Sequence, residues 1–313
     1  TSLGFPVLIL TAGGGHLIRA DGSPKMSMIC NVTGAIINTI LDALFVFGFE
    51  WGMAGAAWAT VIGQYISVML VIRYLSHCKT VDLKPKHLKP AAGYMKKDVT
   101  LGAASCSNQL AMMVVQLVMN KSLTYYGALS SYGQEIPLAC AGIITKVNQV
   151  FFSIIIGISQ GLQPIVSYNY GAKQYDRVKK GYLLAAKTGL MISVIAFLIF
   201  QIFPRQIIAI FGNGSEEYIR FAVSYFRIFL FFTFLNFVQP ITSNSFTAIG
   251  KPGLGMFLSL TRQILFLLPL IVILPFFIGI DGILFAGPIA DGLAGAVAVF
   301  LMYRELKRPE YQV

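Results

Sequence analysis

The chain has 313 residues, of which 56% are hydrophobic and 12% are charged, with a mean hydropathy of +0.71 and a net charge of +11. Soluble domains carry about 25% charged residues, so the composition excludes an ordinary soluble protein. Many low-charge stretches approach the roughly 20 residues that a helix needs to cross a bilayer. The sequence therefore predicts an all-α polytopic membrane protein that lies in the lipid bilayer. The basic residues concentrate in the loops between apolar stretches, so the charge does not indicate a nucleic-acid partner.

In chain order we predict one partial and eight complete spans. The partial span covers about residues 1–18 and has the character of a helix whose start is missing. The complete spans lie near residues 29–49, 52–75, 99–126, 136–160, 181–203, 218–247, 254–277 and 279–303. The segment Arg73–Asp98 is the one substantial polar linker, and Pro85 and Pro90 interrupt any helix through it. We therefore predict a first bundle at 1–78, a cytoplasmic linker at 79–98 and a second bundle at 99–313.

Basic residues follow the partial span and every second complete span, and they also lie at the C-terminus. Examples are Arg19, Lys84, Arg177, Lys251 and Arg304. The intervening turns carry acidic residues instead. Because Lys and Arg are enriched in cytoplasmic loops, this alternation predicts that the basic loops and the C-terminus are cytoplasmic, in the cell membrane.

An internal repeat links the two bundles. The segment Gly22–Met26 is similar to Gly250–Leu254, and Gly52–Gly55 is similar to Gly279–Gly282, at offsets of about 228 and 227. Further matches pair Trp58 with Phe285, Ala59 with Ala286, Ile62 with Ile289 and Gln64 with Asp291. Both copies run in the same membrane sense, which indicates a parallel repeat. The repeat predicts a double six-helix bundle with a pseudo-twofold relation, in which the first bundle is incomplete.

A carboxylate near the middle of a span is the first candidate functional group. Asn38 and Asp42 are four residues apart, so on a helix they share one face. A charge at the bilayer centre costs about 2.5–3.5 kcal/mol on insertion scales and usually faces protein or a wet cavity. Asp42 is thus predicted to carry a proton or to hold Na⁺ beside neutral oxygens. A hydrogen bond that only positions the helices remains the alternative.

The sequence resembles the multidrug and toxic compound extrusion (MATE) transporters over the region from their fourth helix to their twelfth. The resemblance rests on four stretches: Leu17–Gly22, Asn38–Gly48 with Gly52–Thr60 and Gln64, Gly157–Ala172 with Asp176–Arg177, and Gly279–Gly282. It implies a V-shaped pair of bundles around a central cavity that exports organic cations or drugs in exchange for Na⁺ or H⁺. The third stretch, Gly157–Ala172 with Asp176–Arg177, is most similar to bacterial efflux members of the family.

The resemblance also implies a cation-coupling site at Asn38, Asp42, Thr60 and Gln64, with no further cofactor. The family's other carboxylate there lies on helix one, which the sequence does not contain, so the implied site is incomplete. Another branch of the family has acidic residues in helices seven and ten. The matching segments here have none, which places the expected coupling site in the first bundle.

Polar and aromatic residues within the second bundle are candidates for a substrate cavity. They are Lys146, Asn148, Gln149, Tyr225, Arg227, Asn236 and Gln239. Aromatic ring faces can hold organic cations, although such residues more often pack or face lipid. Arg262, near a helix end, is expected to extend to the membrane interface.

Two other classes of function remain open from the sequence. A flippase for lipid-linked oligosaccharides shares the double-bundle plan, and Lys146, Arg227 and Arg262 are the cationic residues that favour it. A receptor or a membrane enzyme is the remote alternative. No span carries a His–Glu or Ser–His pair, and His16, His77 and His87 lie near loops or helix ends, so a non-enzyme is predicted. The oligomeric state stays open, with a monomer favoured.

Overall fold

The computed structural model describes residues 4–78, 92–212 and 215–307, and the regular structure in these ranges is helical. The α-helices are α1 (Phe5–Ala20), α2 (Pro24–Ala43), α3 (Gly52–Leu75), α4 (Ala92–Ala128), α5 (Glu135–Gly171), α6 (Tyr175–Ile202), α7 (Pro204–Phe211), α8 (Glu216–Phe229), α9 (Val238–Ala248), α10 (Pro252–Leu260), α11 (Leu268–Ile278) and α12 (Ile280–Leu306). Leu44–Gly48 and Thr261–Leu267 are π-helical, and Phe231–Leu235 is a 3₁₀ helix.

Seven helical stretches of the described residues are long and apolar enough to cross a membrane, and many of their large apolar side chains are exposed. They are Pro24–Gly48, Gly52–Leu75, Glu135–Gly171, Tyr175–Ile202, Glu216–Ala248, Pro252–Ile278 and Ile280–Leu306. Together with α1 and α4 they lie where the sequence predicts spans. The prediction of a helical polytopic membrane protein is therefore confirmed.

The span ends differ most around the third basic loop. The structure continues α5 to Gly171 and begins α6 at Tyr175, so the turn is much shorter than predicted. Arg177, Lys179 and Lys180 consequently lie on the first turns of α6, where Lys180 pairs with Asp176 at 2.7 Å. Charged residues can continue a helix beyond the apolar core of a membrane, so the end of an apolar stretch does not mark the end of its helix.

The predicted span 218–247 is one helical stretch with an interruption between Phe229 and Val238. Pro240 has no backbone N–H, so the carbonyl group of Asn236, four residues earlier, lacks its usual helical donor. The 3₁₀ segment Phe231–Leu235 precedes that position. The chain thus changes helix type at the level of a cluster of Phe side chains.

The contacts divide the chain into two compact units, which meet in the sequence between Met95 and Lys96. In the first unit, α1, α2 and α3 pack against one another, with Ile18, Cys30 and Val71 at the centre. In the second unit, a larger core contains residues from every helix from α4 to α12. Most of the predicted linker, residues 79–91, lies outside the described residues, and residues 92–98 belong to α4.

Each unit contains the same three-helix motif at the positions of the sequence repeat. Gly22 and Gly250 end the first helix of the motif in the left-handed region, with φ values of 76° and 77°. The two turns share the same hydrogen bonds, since Ser23 N–H donates to Ile18 O and Lys251 N–H donates to Phe246 O. This is the glycine-terminated Schellman pattern, and Pro24 or Pro252 then begins the next helix.

A contact between the first two helices of the motif is also repeated, with donor and acceptor exchanged. Ser27 Oγ donates to Gly15 O at 3.0 Å in the first unit. Ser243 Oγ donates to Gly255 O at 2.7 Å in the second. The repeat offset pairs position 15 with 243 and position 27 with 255, so one serine and one glycine hold each helix pair together.

Candidate functional site

The predicted coupling residues lie beside a close crossing of α2 and α3. A Cβ atom on Gly34 would lie 1.8 Å from Ser67 Oγ and 2.8 Å from Gly63 O, so only glycine fits. A Cβ on Gly63 would lie 2.8 Å from Gly34 O. Small residues at a helix interface let two backbones approach. One turn away on one side, Ser67 Oγ donates to Cys30 O at 3.1 Å and strengthens the contact.

One turn away on the other side, the crossing brings Asn38 against Thr60. Asn38 Nδ2 donates to Thr60 Oγ1 at 3.4 Å, and Thr60 Oγ1 donates to Ala56 O. A cavity of about 240 Å³ opens along the interface between α2 and α3. It is lined by Leu8, Thr11, Asn31, Gly34, Ala35, Asn38, Thr60, Gly63, Gln64 and Ser67. Three of the four predicted coupling residues therefore line one cavity.

Asp42, the fourth predicted residue, lies one helical turn beyond Asn38 and does not line the cavity. Its side chain is half-buried, and its Oδ1 atom is shielded from solvent without a hydrogen bond from any described residue. The helix changes to π-helical geometry two residues later, at Leu44. π-Helical turns are frequent at functional sites. One turn beyond the Asn38–Thr60 pair there is thus a carboxylate oxygen that accepts no hydrogen bond within the described ranges.

Several residues of the cavity were not predicted as site residues. Thr11 and Asn31 add polar groups, while Gly34, Gly63 and Ser67 supply the close approach. A signal for part of this set is present in the sequence. Cys30, Gly34, Asn38 and Asp42 recur every four residues, which places small and polar groups on one face of α2.

The chemistry of this site suits a small hard cation or a proton. Amide, hydroxyl and carboxylate oxygens are the ligands that such cations take in proteins. Asn38, Thr60 and Gln64 supply neutral oxygens, and Asp42 supplies a charge one turn away. The described residues thus place oxygen atoms of these kinds on two neighbouring helices.

The substrate-cavity candidates of the second unit are dispersed over several elements. Lys146 and Gln149 are exposed on α5, where Asn148 is half-buried with its Oδ1 atom shielded and without a hydrogen bond. Arg227 is exposed on α8. Asn236 is 6% exposed near the helix interruption, and Gln239 Nε2 donates to Leu258 O at 3.3 Å. The hydrogen bonds found in the described part of the chain join none of these candidates to another.

Tyr225 occupies a packing position. It is 1% exposed, and its ring contacts Phe221 and Phe229 edge-on, with ring centroids 5.9 Å and 5.4 Å away. Burial of this kind does not present an aromatic face to a ligand. Tyr225 is therefore a core residue, and its prediction as a substrate-cavity residue is wrong.

The expectation that Arg262 extends to the membrane interface is wrong. Arg262 Nε donates to Asp291 Oδ1 at 2.5 Å, and the two side chains are 14% and 3% exposed. Arg262 lies in the π-helical segment Thr261–Leu267, and Asp291 lies on α12. The carboxylate on the neighbouring helix holds the guanidinium inside the unit. The position of a charge within its own span carries no information about a partner on a neighbouring helix.

The family of the chain follows from a comparison with family models. The model described as MatE matches residues 104–273, which is more than half of the chain. The chain belongs to the MatE family. The multidrug export protein MepA of Staphylococcus haemolyticus (strain JCSC1435) is 26% identical over 304 residues, and MepA of Staphylococcus saprophyticus is 24% identical over the same length. The chain spans about 65% of the length of these relatives, which cover 96% of the chain.

Solved structures show the same MatE fold. One, titled as the outward-facing conformation of a multidrug resistance MATE family transporter of the MOP superfamily, matches with a TM-score of 0.88 at 20% identity. It covers 97% of this chain, which in turn covers 68% of it. A MOP superfamily transporter from Pyrococcus furiosus, whose title reports a binding pocket of reverse polarity, also matches with a TM-score of 0.88 and 20% identity, at coverages of 97% and 67%. The predicted resemblance and fold are thereby confirmed.

Proposed function

We propose that the protein is a cation-coupled antiporter that exports organic cations or drugs by alternating access, with Asp42 as the centre of its coupling site. The observation that carries the proposal is the placement of Asp42. Its Oδ1 atom is shielded and accepts no hydrogen bond from a described residue, one turn from the Asn38–Thr60 pair. A buried carboxylate oxygen without a donor is costly, and a proton or a metal cation removes that cost.

The family supports the transport part of this proposal. The curated relatives are named as multidrug export proteins, and membership in the MatE family is shown over more than half of the chain. Small drug molecules are therefore the proposed cargo. The cell membrane is the proposed location, with a cytoplasmic C-terminus, because the basic residues alternate along the chain.

The coupling ion is proposed to bind in the first unit. Asn38, Thr60 and Gln64 line one cavity there, and the close crossing at Gly34 and Gly63 fixes the distance between α2 and α3. Occupation of Asp42 by Na⁺ or H⁺ would neutralise a charge two helical turns from this crossing. A change in charge at a packed helix interface is a suitable trigger for alternating access, because it favours one arrangement of the helices over another.

The test uses the complete gene product that carries this sequence, reconstituted in proteoliposomes with an imposed Na⁺ or H⁺ gradient. D42N is expected to abolish gradient-driven export of ethidium, while the protein still inserts and purifies. The matched control is D176N, since Asp176 is a carboxylate on an exposed helix start, paired with Lys180. D176N should export at the wild-type rate. Gradient-driven export by D42N at that rate would refute the role of Asp42.

The same assay separates the two coupling ions. If Na⁺ is the coupling ion, a Na⁺ gradient at constant pH drives export and a pH gradient without Na⁺ does not. The reverse result assigns H⁺. Wild-type protein that inserts and purifies but exports ethidium with neither gradient would refute coupled antiport. The flippase would then be the next candidate. Of the three cationic residues that favoured a flippase, Arg262 is neutralised by Asp291.

A further inference from the structure

The ion pair Arg262–Asp291 stands at repeat positions that line the cavity in the first unit. The repeat pairs Asp291 with Gln64, which lines that cavity. Arg262 corresponds to Gly34 at an offset of 228 or to Ala35 at an offset of 227, and both of these residues line it too. Both members of the pair thus replace cavity residues of the first unit.

The positions of Asn38, Asp42 and Thr60, and that of Ser67, differ in the opposite direction. The residues of the second unit that correspond to Thr60 and Ser67 are Gly287 and Ala294. The positions that correspond to Asn38 and Asp42 are apolar at either offset, namely Leu265 or Phe266 and Pro269 or Leu270. The second unit therefore has apolar or small residues at these four positions and a cation of its own. Gln239 and Ser259, at the positions of Thr11 and Asn31, are the polar counterparts that it retains.

We propose that Arg262 is a built-in cation that fills a closed counterpart of the first unit's cavity, so that Asp291 cannot exchange an external cation. The guanidinium is covalently attached and 14% exposed, and its partner carboxylate is 3% exposed. A buried carboxylate with a fixed positive partner gains nothing from a mobile cation. Removal of the guanidinium should leave a cavity with a carboxylate in its wall, which is a latent site for a small organic or inorganic monovalent cation.

The π-helical geometry of Thr261–Leu267 supports this assignment. Arg262 is the second residue of that segment, whereas the corresponding residues Gly34 and Ala35 lie in the regular part of α2. At Gly34 the helices approach so closely that a Cβ atom would not fit. A long side chain in the second unit thus requires a different local geometry, and a π-helical turn supplies one.

The experiment tests whether an added cation stabilises the protein once the guanidinium of Arg262 is removed. It uses the complete gene product in detergent, in a D42N background, so that the outcome does not depend on the proposed coupling site. The melting temperature is measured against methylguanidinium chloride and NaCl, with choline chloride at equal ionic strength as the reference. The variants are D42N, D42N/R262A, D42N/R262A/D291N and D42N/R205A. The last removes an exposed arginine and is the matched control.

D42N/R262A is expected to melt about 2–5 °C higher with millimolar methylguanidinium or Na⁺, because a ligand that binds only the folded protein stabilises it. The other three variants should not respond. A D42N/R262A protein that responds to neither cation would overturn the proposal, as would an equal response in the D291N variant.

A second pair of variants keeps the proposal testable if R262A does not fold. R262K retains a positive charge, whereas R262M retains much of the length of the side chain without the charge. We expect R262K to give at least three times as much monodisperse protein as R262M, by size-exclusion chromatography. Equal yields of R262M and R262K would show that Arg262 supplies packing rather than charge, and would refute the built-in cation.

Discussion

The closest helix contact of the first unit gives the sharpest prediction. G34A adds one methyl group where its Cβ atom would lie 2.8 Å from Gly63 O, about 0.6 Å short of the 3.4 Å at which ordinary contact begins. Ser67 Oγ, at 1.8 Å, can rotate only by giving up its hydrogen bond to Cys30 O. The backbone oxygen cannot rotate away, so α2 and α3 must separate.

The consequence for the site follows from the same distances. The Asn38–Thr60 hydrogen bond is already 3.4 Å long, so a separation of about 0.6 Å would break it. Overpacking of this kind costs about 1–3 kcal/mol. We expect G34A to lower the melting temperature of the purified complete gene product and to lower its gradient-driven export to a small fraction of the wild-type rate.

G142A is the matched control for G34A. Gly142 also lies inside a helix, and a Cβ atom there would meet no atom within 4 Å. This substitution should be neutral or stabilise the protein by about 0.5–1 kcal/mol, because alanine loses less backbone entropy in a helix than glycine does. A G34A protein that melts and transports like G142A would refute the close-crossing argument.

Two further predictions concern the second unit. K251A should lower the melting temperature by more than K180A, since Lys251 pairs with Glu305, which is 4% exposed, whereas the Lys180–Asp176 pair is mostly exposed and contributes about 0–1 kcal/mol. Equal shifts in thermal melts would contradict this ranking. G282A should destabilise the protein more than G55A, the substitution at the equivalent repeat position. A Cβ atom on Gly282 would lie 2.6–2.7 Å from backbone atoms of Leu274 and Pro275, whereas the nearest atoms to a Cβ on Gly55 would be 3.0 Å away. Comparable yields and melting temperatures for the two variants would show that the helix pairs yield more easily than these distances suggest.

The sequence alone determined the features that depend on local composition and on order along the chain. Apolar stretches of membrane-spanning length predicted the helical spans, since hydrocarbon leaves few other structures for an unpaired backbone. The sequence repeat placed Gly22 and Gly250 at equivalent positions, and the structure forms the same backbone hydrogen bonds at both. Asn38 and Asp42 could be placed on one face because helical periodicity fixes which residues share a side.

Only the tertiary structure decided which groups meet across helices. The contact of Gly34 with Gly63, the hydrogen bond of Asn38 with Thr60 and the pairing of Arg262 with Asp291 depend on the register and distance between neighbouring helices. Periodicity within one helix carries no information about that register. The same limit explains Tyr225, whose aromatic ring suited a cavity in the sequence but is enclosed by Phe221 and Phe229 in the fold.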